Sequence, residues 1–414
     1  MRLGFFTSIE GWGGSETYLL SLMKGVRDAG HVPALFGIEG TRLYCEAREA
    51  NIECVAWKGL KNISVNGVPV VTGVPAGSAT RENEDATETS LRQGYDGHAA
   101  ATTVKQLFLR GMPHGLKLLA GNVREVLMLR RLFRNHRVDV MHVNLNGYEV
   151  AGVACKLCGI PSVGWHCIMP YHDPSAMRRW LLKWTCWSYS VMGGMSQACV
   201  DAWRGLSGLP TRRCRMVWNG IDLSKYKAKS SLRRSVSDAF QILAVGRLHP
   251  MKGFNVLIKA LGLLNDPRVI LIVAGEGSDD QKLKTLAAEQ PCSQTIHFLG
   301  HREDMETLYQ QAHCLALPSV SHESFGFVLA EAMAFGLPTI TSDFGPLPEI
   351  NIDGETGLVV PSGNAESLSR AIQHLADHPD ECVRFGRNGV RRAMECFSKE
   401  RMVTSMMDIY KGLI

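Results

Sequence analysis

The sequence predicts an α/β protein built from two successive doubly wound domains. Three observations lead there. Short apolar runs alternate with helix-period stretches along the chain, the signature of βαβ units around a parallel sheet. The series starts twice, the second time after the polar stretch KYKAKSSLRRSVSDA at 225–239. A glycine-containing turn directly follows the first strand of each series, where open α/β sheets bind their ligands.

The first domain is expected over 1–225. The apolar run Leu3–Ser8 is followed by GWGGSE and a helical pattern from Thr17 to Ala29 that stops at Gly30. Further strands are read at Val32–Phe36, Val138–Val143, Pro161–Trp165 and Val191–Met195. Between Asn62 and Thr103 the periodicity fails in a polar, Gly/Ser/Thr-rich insertion, a surface loop or a lid over a substrate. The second domain is expected over 239–395, with strands at Gln241–Val245, Val269–Ala274, Thr295–Leu299, Cys314–Pro318, Pro338–Thr341 and Gly357–Val360. The remaining 396–414 carries a helical pattern, Lys399–Leu413, expected to pack back on the first domain.

Composition narrows the classes. With 45% hydrophobic and 21% charged residues the chain has ample material for cores, which excludes a disordered or collagen-like protein. No apolar run reaches the ~18 residues of a spanning helix. The amino terminus meets glycines and Glu10 too early for a signal-peptide core, so a cytoplasmic location is expected. The 12 cysteines are scattered without a framework, and the one Cys-x-x-Cys, Cys155 and Cys158, reads as core side chains. Residues 1–238 hold 30 Lys+Arg against 19 Asp+Glu and the rest 15 against 21, which divides the net +5 into +11 and −6. A basic first half points to an anionic partner there.

The strongest chemical signal follows the strand Gln241–Val245. In GRLHPMKG a strand end, a glycine turn, Arg247, Lys252 and a helix start at Phe254 together make an anion site suited to a diphosphate. In HESFGFVLAEAMAFGLP, Glu323 stands at a helix entrance and Glu331 eight residues further in, about 12 Å along a helix. That span is roughly the distance from a sugar across a diphosphate to a ribose. A carboxylate inside an apolar helix needs a partner, and ribose hydroxyls or a salt bridge would both serve.

GRLHPMKG, PSVSHESFGFVLAEAMAFGLP, VAGEGS at 273–278, WNGID at 218–222 and the amino-terminal GGSE together resemble the retaining glycosyltransferases of the GT-B fold. More narrowly they resemble the glycogen-synthase-like group, glycosyltransferase family 4, group 1. The resemblance is nearly continuous from Met216 to Gly363 and rests on islands before that. It implies two Rossmann-like domains facing across a cleft and transfer of a sugar from a nucleotide diphosphate sugar with retention of configuration. By position it implies that Arg247 and Lys252 bind the diphosphate and that Glu323 contacts the donor sugar beside Ser324, Phe325 and Gly326. Glu331 would hold the ribose. Gly13, Gly14, Gly246 and Gly275 would let backbone approach the donor, and His166 would line the sugar.

No Asp-x-Asp occurs, and two cations can neutralise a diphosphate leaving group, so no metal and no cofactor are expected. One departure is visible: in TSDFGPLPEI, Gly345 is followed by Pro346 where the family has a second glycine, while Pro348 and Glu349 match. The acceptor is expected to be a saccharide or lipid-linked saccharide, in cell-surface polysaccharide, lipopolysaccharide or glycolipid synthesis. Val104–Val138 and MRRWLLKWTCW at 177–187 are basic and apolar together. They read either as peripheral binding to an anionic inner leaflet or as ordinary helices with tryptophans in the core. A dinucleotide oxidoreductase is disfavoured because Glu16 occupies the third glycine position of GWGGSE. A nucleic-acid-binding protein is disfavoured by the absence of a recognition motif. A non-catalytic nucleotide-sugar-binding paralogue and an epimerase of the same fold are the alternatives.

Overall fold

The computed structural model describes residues 1–9, 13–57, 114–145, 150–170, 176–225, 239–321 and 323–414. The 62–103 insertion, Glu10 and most of the polar stretch 225–239 lie outside the described residues.

The first half forms a seven-stranded parallel sheet in the order β3-β2-β1-β4-β5-β6-β7. Its strands are β1 (Arg2–Phe6), β2 (Val32–Gly37), β3 (Glu53–Ala56), β4 (Val140–Leu145), β5 (Ser162–His166), β6 (Val191–Gly194) and β7 (Cys214–Met216). Every residue of β4 and β5 is buried, as expected of strands covered on both faces. The edge strands β3 and β7 escape sequence reading because, at four and three residues, ECVA and CRM are too short to stand out as strands. The helices are α1 (Gly14–Asp28), α2 (Arg42–Glu49), α3 (His114–Asn135), α4 (Ala151–Cys158), α5 (Ala176–Ser188) and α6 (Gln197–Ser207). Strand order reverses beside β1, so right-handed crossovers place α1 and α2 on one face and α3 to α6, packed in sequence, on the other.

The second half repeats the plan with six parallel strands in the order β10-β9-β8-β11-β12-β13. These are β8 (Phe240–Val245), β9 (Val269–Ala274), β10 (Ile296–Phe298), β11 (Cys314–Leu317), β12 (Thr339–Ser342) and β13 (Gly357–Val360). The helices are α7 (Phe254–Leu264), α8 (Asp280–Ala288), α9 (Met305–Gln311), α10 (Phe327–Ala334), α11 (Leu347–Ile350), α12 (Ala365–Asp377), α13 (Pro379–Cys396) and α14 (Lys399–Lys411). Each sheet has its switch point where the order reverses, between β1 and β4 and between β8 and β11.

Helix α14 crosses back onto the first half. It packs on α1, where Gly25 leaves room for Val403, and the Tyr410 hydroxyl hydrogen-bonds His142 Nδ1 of β4 at 2.9 Å. Burial pushes the His142 pKa down to about 3, so the ring is neutral and can accept that bond. The crossing is pinned by Ile221 N donating to Phe397 O (2.8 Å) and Lys399 N donating to Ile221 O (3.0 Å). Gly220 lies so close beneath it that a Cβ would stand 2.6 Å from Lys399 Cα. Gly220→Ala is therefore expected to destabilise the protein by about 1–3 kcal/mol, read as a lower denaturant midpoint, because backbone must move to admit the methyl. Cys155 is fully buried and Cys158 half-buried, both as free thiols, and burial raises the pKa of each. They are core side chains.

Candidate functional site

The site is assembled at the two switch points. Strand β8 delivers Gly246, whose N–H donates to Ala274 O at 3.1 Å, and β9 delivers Gly275 beside it. Gly275 has φ +144°, and a Cβ there would stand 1.9 Å from Gly246 O, so only glycine allows these loops to lie together. Leu248 N then donates to Glu276 O (2.9 Å) and Asp279 N to Leu248 O (3.0 Å), stitching the loops into one surface. His249 caps the short 250–252 turn by accepting from Met251 N, and this turn carries Lys252 to the base of the site.

From the other side of the switch point, Val320 N donates to Met251 O at 2.8 Å, which fixes the loop after β11 against the Lys252 turn. Lys252 Nζ meets Glu323 Oε2 at 2.7 Å, with Ser319 Oγ donating to the same oxygen at 3.1 Å. The Glu323 side chain is only 10% exposed and that of Lys252 22%, so the pair is largely desolvated. Arg247, in contrast, is exposed and makes no ion pair among the described residues. Glu323, Ser324 and Phe325 are buried and lead through Gly326 into α10, as the motif requires. Because α10 begins only at Phe327, Glu331 stands about one turn into the helix rather than the two expected from Glu323. Its Oε2 accepts from the Tyr309 hydroxyl at 2.7 Å, and Tyr309 stacks on Phe335.

The first half meets this surface directly. At Gly14 a Cβ would touch the Phe327 ring at 3.2 Å, so the glycine turn after β1 faces the start of α10. Gly13, extended at φ −167°, immediately precedes α1. Its neighbour Glu16 is buried with its carboxyl pKa raised by desolvation, and Ser15 Oγ donates to it at 2.7 Å. Beyond β5, Met169 N donates to Ser324 Oγ at 3.1 Å, joining the halves again.

His166 ends β5 and is 2% exposed. Its ring stacks on Trp203 with centroids 3.7 Å apart, burial pushes its pKa down to about 3, and neither nitrogen has a hydrogen-bond partner among the described residues. A buried, neutral imidazole with both nitrogens unpaired holds hydrogen-bonding capacity in reserve. The structure thus brings together Lys252 and Glu323, and Gly14 with the α10 entrance. It leaves Arg247 extended into solvent and the His166 ring against Trp203.

Sequence reasoning missed the contact made by Glu349. Its carboxylate, from the second half, accepts from the backbone N–H groups of Gln197 (2.8 Å) and Ala198 (2.6 Å) at the start of α6 in the first half. Ser196 Oγ accepts from Cys199 N at 3.2 Å, so the first three amides of α6 are all satisfied, two of them across the interface. Glu349 lies 151 residues from Ala198, and such a contact leaves no local signal.

Two parallel-sheet halves meet near their switch points, with glycine turns on both and a Lys–Glu pair on the second, an architecture of the GT-B class. The chain matches the family "Glycosyl transferases group 1" over residues 229–392 and "Glycosyltransferase Family 4" over 91–225. It is 31% identical to a glycogen synthase of Mycobacterium tuberculosis over 309 residues, covering 70% of this chain and 72% of that one. A D-inositol 3-phosphate glycosyltransferase of Saccharomonospora viridis is 31% identical over 215 residues, 48% of this chain and 49% of the relative. Among solved structures, Anabaena HepE in complex with UDP superposes with a TM-score of 0.73 over 100% of both chains at 18% identity. The chain belongs to glycosyltransferase family 4, group 1, and is a glycosyltransferase.

Proposed function

We propose that this enzyme transfers a sugar, with retention of configuration and without a metal, from a nucleotide diphosphate sugar to a saccharide or lipid-linked saccharide. The product would serve cell-surface polysaccharide or lipopolysaccharide-type synthesis, and a lipid-linked acceptor would place the enzyme at the inner leaflet of a membrane. The observation that carries the reading is the desolvated Lys252–Glu323 pair at the β8/β11 switch point, with the Gly14 turn of the first half meeting Phe327 at the start of α10.

In this reading the diphosphate lies over the Gly246 and Gly275 turns, with Lys252 and the solvent-facing Arg247 closing on it. Charge grows on the departing phosphate as the glycosidic bond breaks, and two cations stabilise that charge more than they stabilise the ground state. Glu323 and the amides of Ser324 to Gly326 hold the sugar hydroxyls. Glu331 exchanges or shares its Tyr309 bond with the ribose. The unpaired nitrogens of His166 favour its lining the sugar. Retention follows from front-face attack with the leaving phosphate as base, a role in keeping with the family's chemistry.

A thermal-shift panel of UDP-, GDP-, ADP- and TDP-sugars, with and without EDTA, tests this. One nucleotide class is expected to raise the midpoint by mass action, equally in both conditions. Absence of any shift at millimolar donor overturns the donor assignment, and a shift abolished by EDTA overturns metal independence.

A further inference from the structure

Three helices of the first half carry an unusual outward surface. Helices α3, α4 and α5 lie side by side on one face of the sheet. Together their sequences hold nine Lys and Arg against a single acidic residue, Glu125. They also supply six of the eleven large hydrophobic side chains exposed among the described residues: Val123, Leu127, Leu157, Trp180, Trp184 and Trp187.

The three tryptophans settle a question the sequence left open. Trp180, Trp184 and Trp187 follow helical spacing on α5 and are 58%, 48% and 42% exposed, while Leu181, Leu182 and Cys186 take the buried side. The tryptophans are therefore not core residues. Arg179 and Lys183 stand exposed among them, and Arg213 lies 5.3 Å over the Trp187 ring. On α3, Val123 and Leu127 one turn apart are flanked by exposed Arg124 and Arg131.

We propose that this α3–α4–α5 face docks on an anionic phospholipid bilayer. Indole rings are amphipathic and sit at the level of lipid headgroups, aliphatic side chains enter the acyl boundary, and Lys and Arg pair with anionic headgroups. The charge balance argues against a second copy of the chain as the occupant, because two such faces would repel. The protruding Trp, Leu and Val side chains suit an apolar layer better than a phosphate-lined duplex. The surface is also close to the cleft along the chain: Met169, whose N–H donates to Ser324 Oγ, stands seven residues before the start of α5. A lipid-linked acceptor held in the leaflet would then stand next to the donor site. The proposal rests on the proposed function only for this last link.

Flotation of the full chain with vesicles of phosphatidylcholine alone, or with phosphatidylglycerol added, tests it at low salt. Binding is expected only to the anionic vesicles, weakened about tenfold or more by W180S/W184S and by R179E/K183E. Brominated lipid should quench tryptophan fluorescence in the wild type and less in W180S/W184S. Both variants should keep the wild-type melting midpoint and donor-induced thermal shift, which separates this surface from the catalytic reading. Three results overturn the proposal: no binding to anionic vesicles, binding unchanged in both variants, or a wild-type dimer that W180S/W184S dissociates.

Discussion

Lys252→Ala is expected to lower kcat/KM by about two to three orders of magnitude and to abolish the donor-induced thermal shift. Removing one preorganised donor to a developing oxyanion costs about 10²–10³ in rate. Here a second penalty adds to it. Glu323 Oε2 loses its 2.7 Å partner and keeps only Ser319 Oγ, leaving a nearly buried carboxylate where a dianionic diphosphate must arrive. Lys252→Arg should recover only part of the activity, because a planar fork cannot replace a compact ammonium in the same space. Release of nucleoside diphosphate under saturating and subsaturating donor separates kcat from KM. Activity of Lys252→Ala within about twofold of wild type would remove Lys252 from leaving-group stabilisation.

The second large effect is expected at Glu349, which touches no reacting atom in the proposed mechanism and acts by positioning. Its carboxylate takes two amides at the positive end of α6, charge-assisted bonds worth about 1.5–3 kcal/mol in favourable settings and less where solvent reaches them. Glu349→Ala breaks both and leaves α6 with only its Ser196 cap, so the halves should separate more readily. The expected result is an enlarged radius of gyration in solution scattering without donor, a kcat/KM about tenfold lower, and recovery of compactness when donor is added. Glu349→Gln should fall between, since its amide oxygen can accept from one of the two N–H groups while its NH₂ opposes the other. An unchanged scattering profile together with unchanged kinetics would show that the contact does not hold the cleft.

Much of the fold was legible because parallel strands buried on both faces leave continuous apolar runs. The β8 and β9 runs, FQILAV and VILIVA, and the glycines behind them could be placed within a residue or two. The edge strands β3 and β7 could not, since three or four residues at a sheet margin need no apolar pattern. At the site, Lys252, Glu323 and Glu331 were visible as charges in apolar or glycine-rich surroundings. Their partners were not: Ser319 and Tyr309 are ordinary residues until the fold sets them beside a carboxylate. His166 was singled out by the family resemblance, but its stacking on Trp203 depends on α6, which starts some 30 residues further along.

By itself the sequence determined the doubly wound plan and the positions of the charged residues beside its glycine turns. These are properties of local pattern, because periodicity, glycine turns and charged residues in apolar runs are written within a few residues of one another. Tertiary structure decided which charges meet. Lys252 and Glu323 are 71 residues apart and meet because β8 pairs with β11 within the second sheet, while Glu349 and Ala198, 151 residues apart, meet only through the packing of one half on the other. It also decided the fate of the α5 tryptophans. That helix is apolar on more than one side, and periodicity does not say which side a sheet will cover. The fold covers Leu181, Leu182 and Cys186 and turns Trp180, Trp184 and Trp187 toward solvent, because burial against a sheet is chosen by the neighbours a helix acquires.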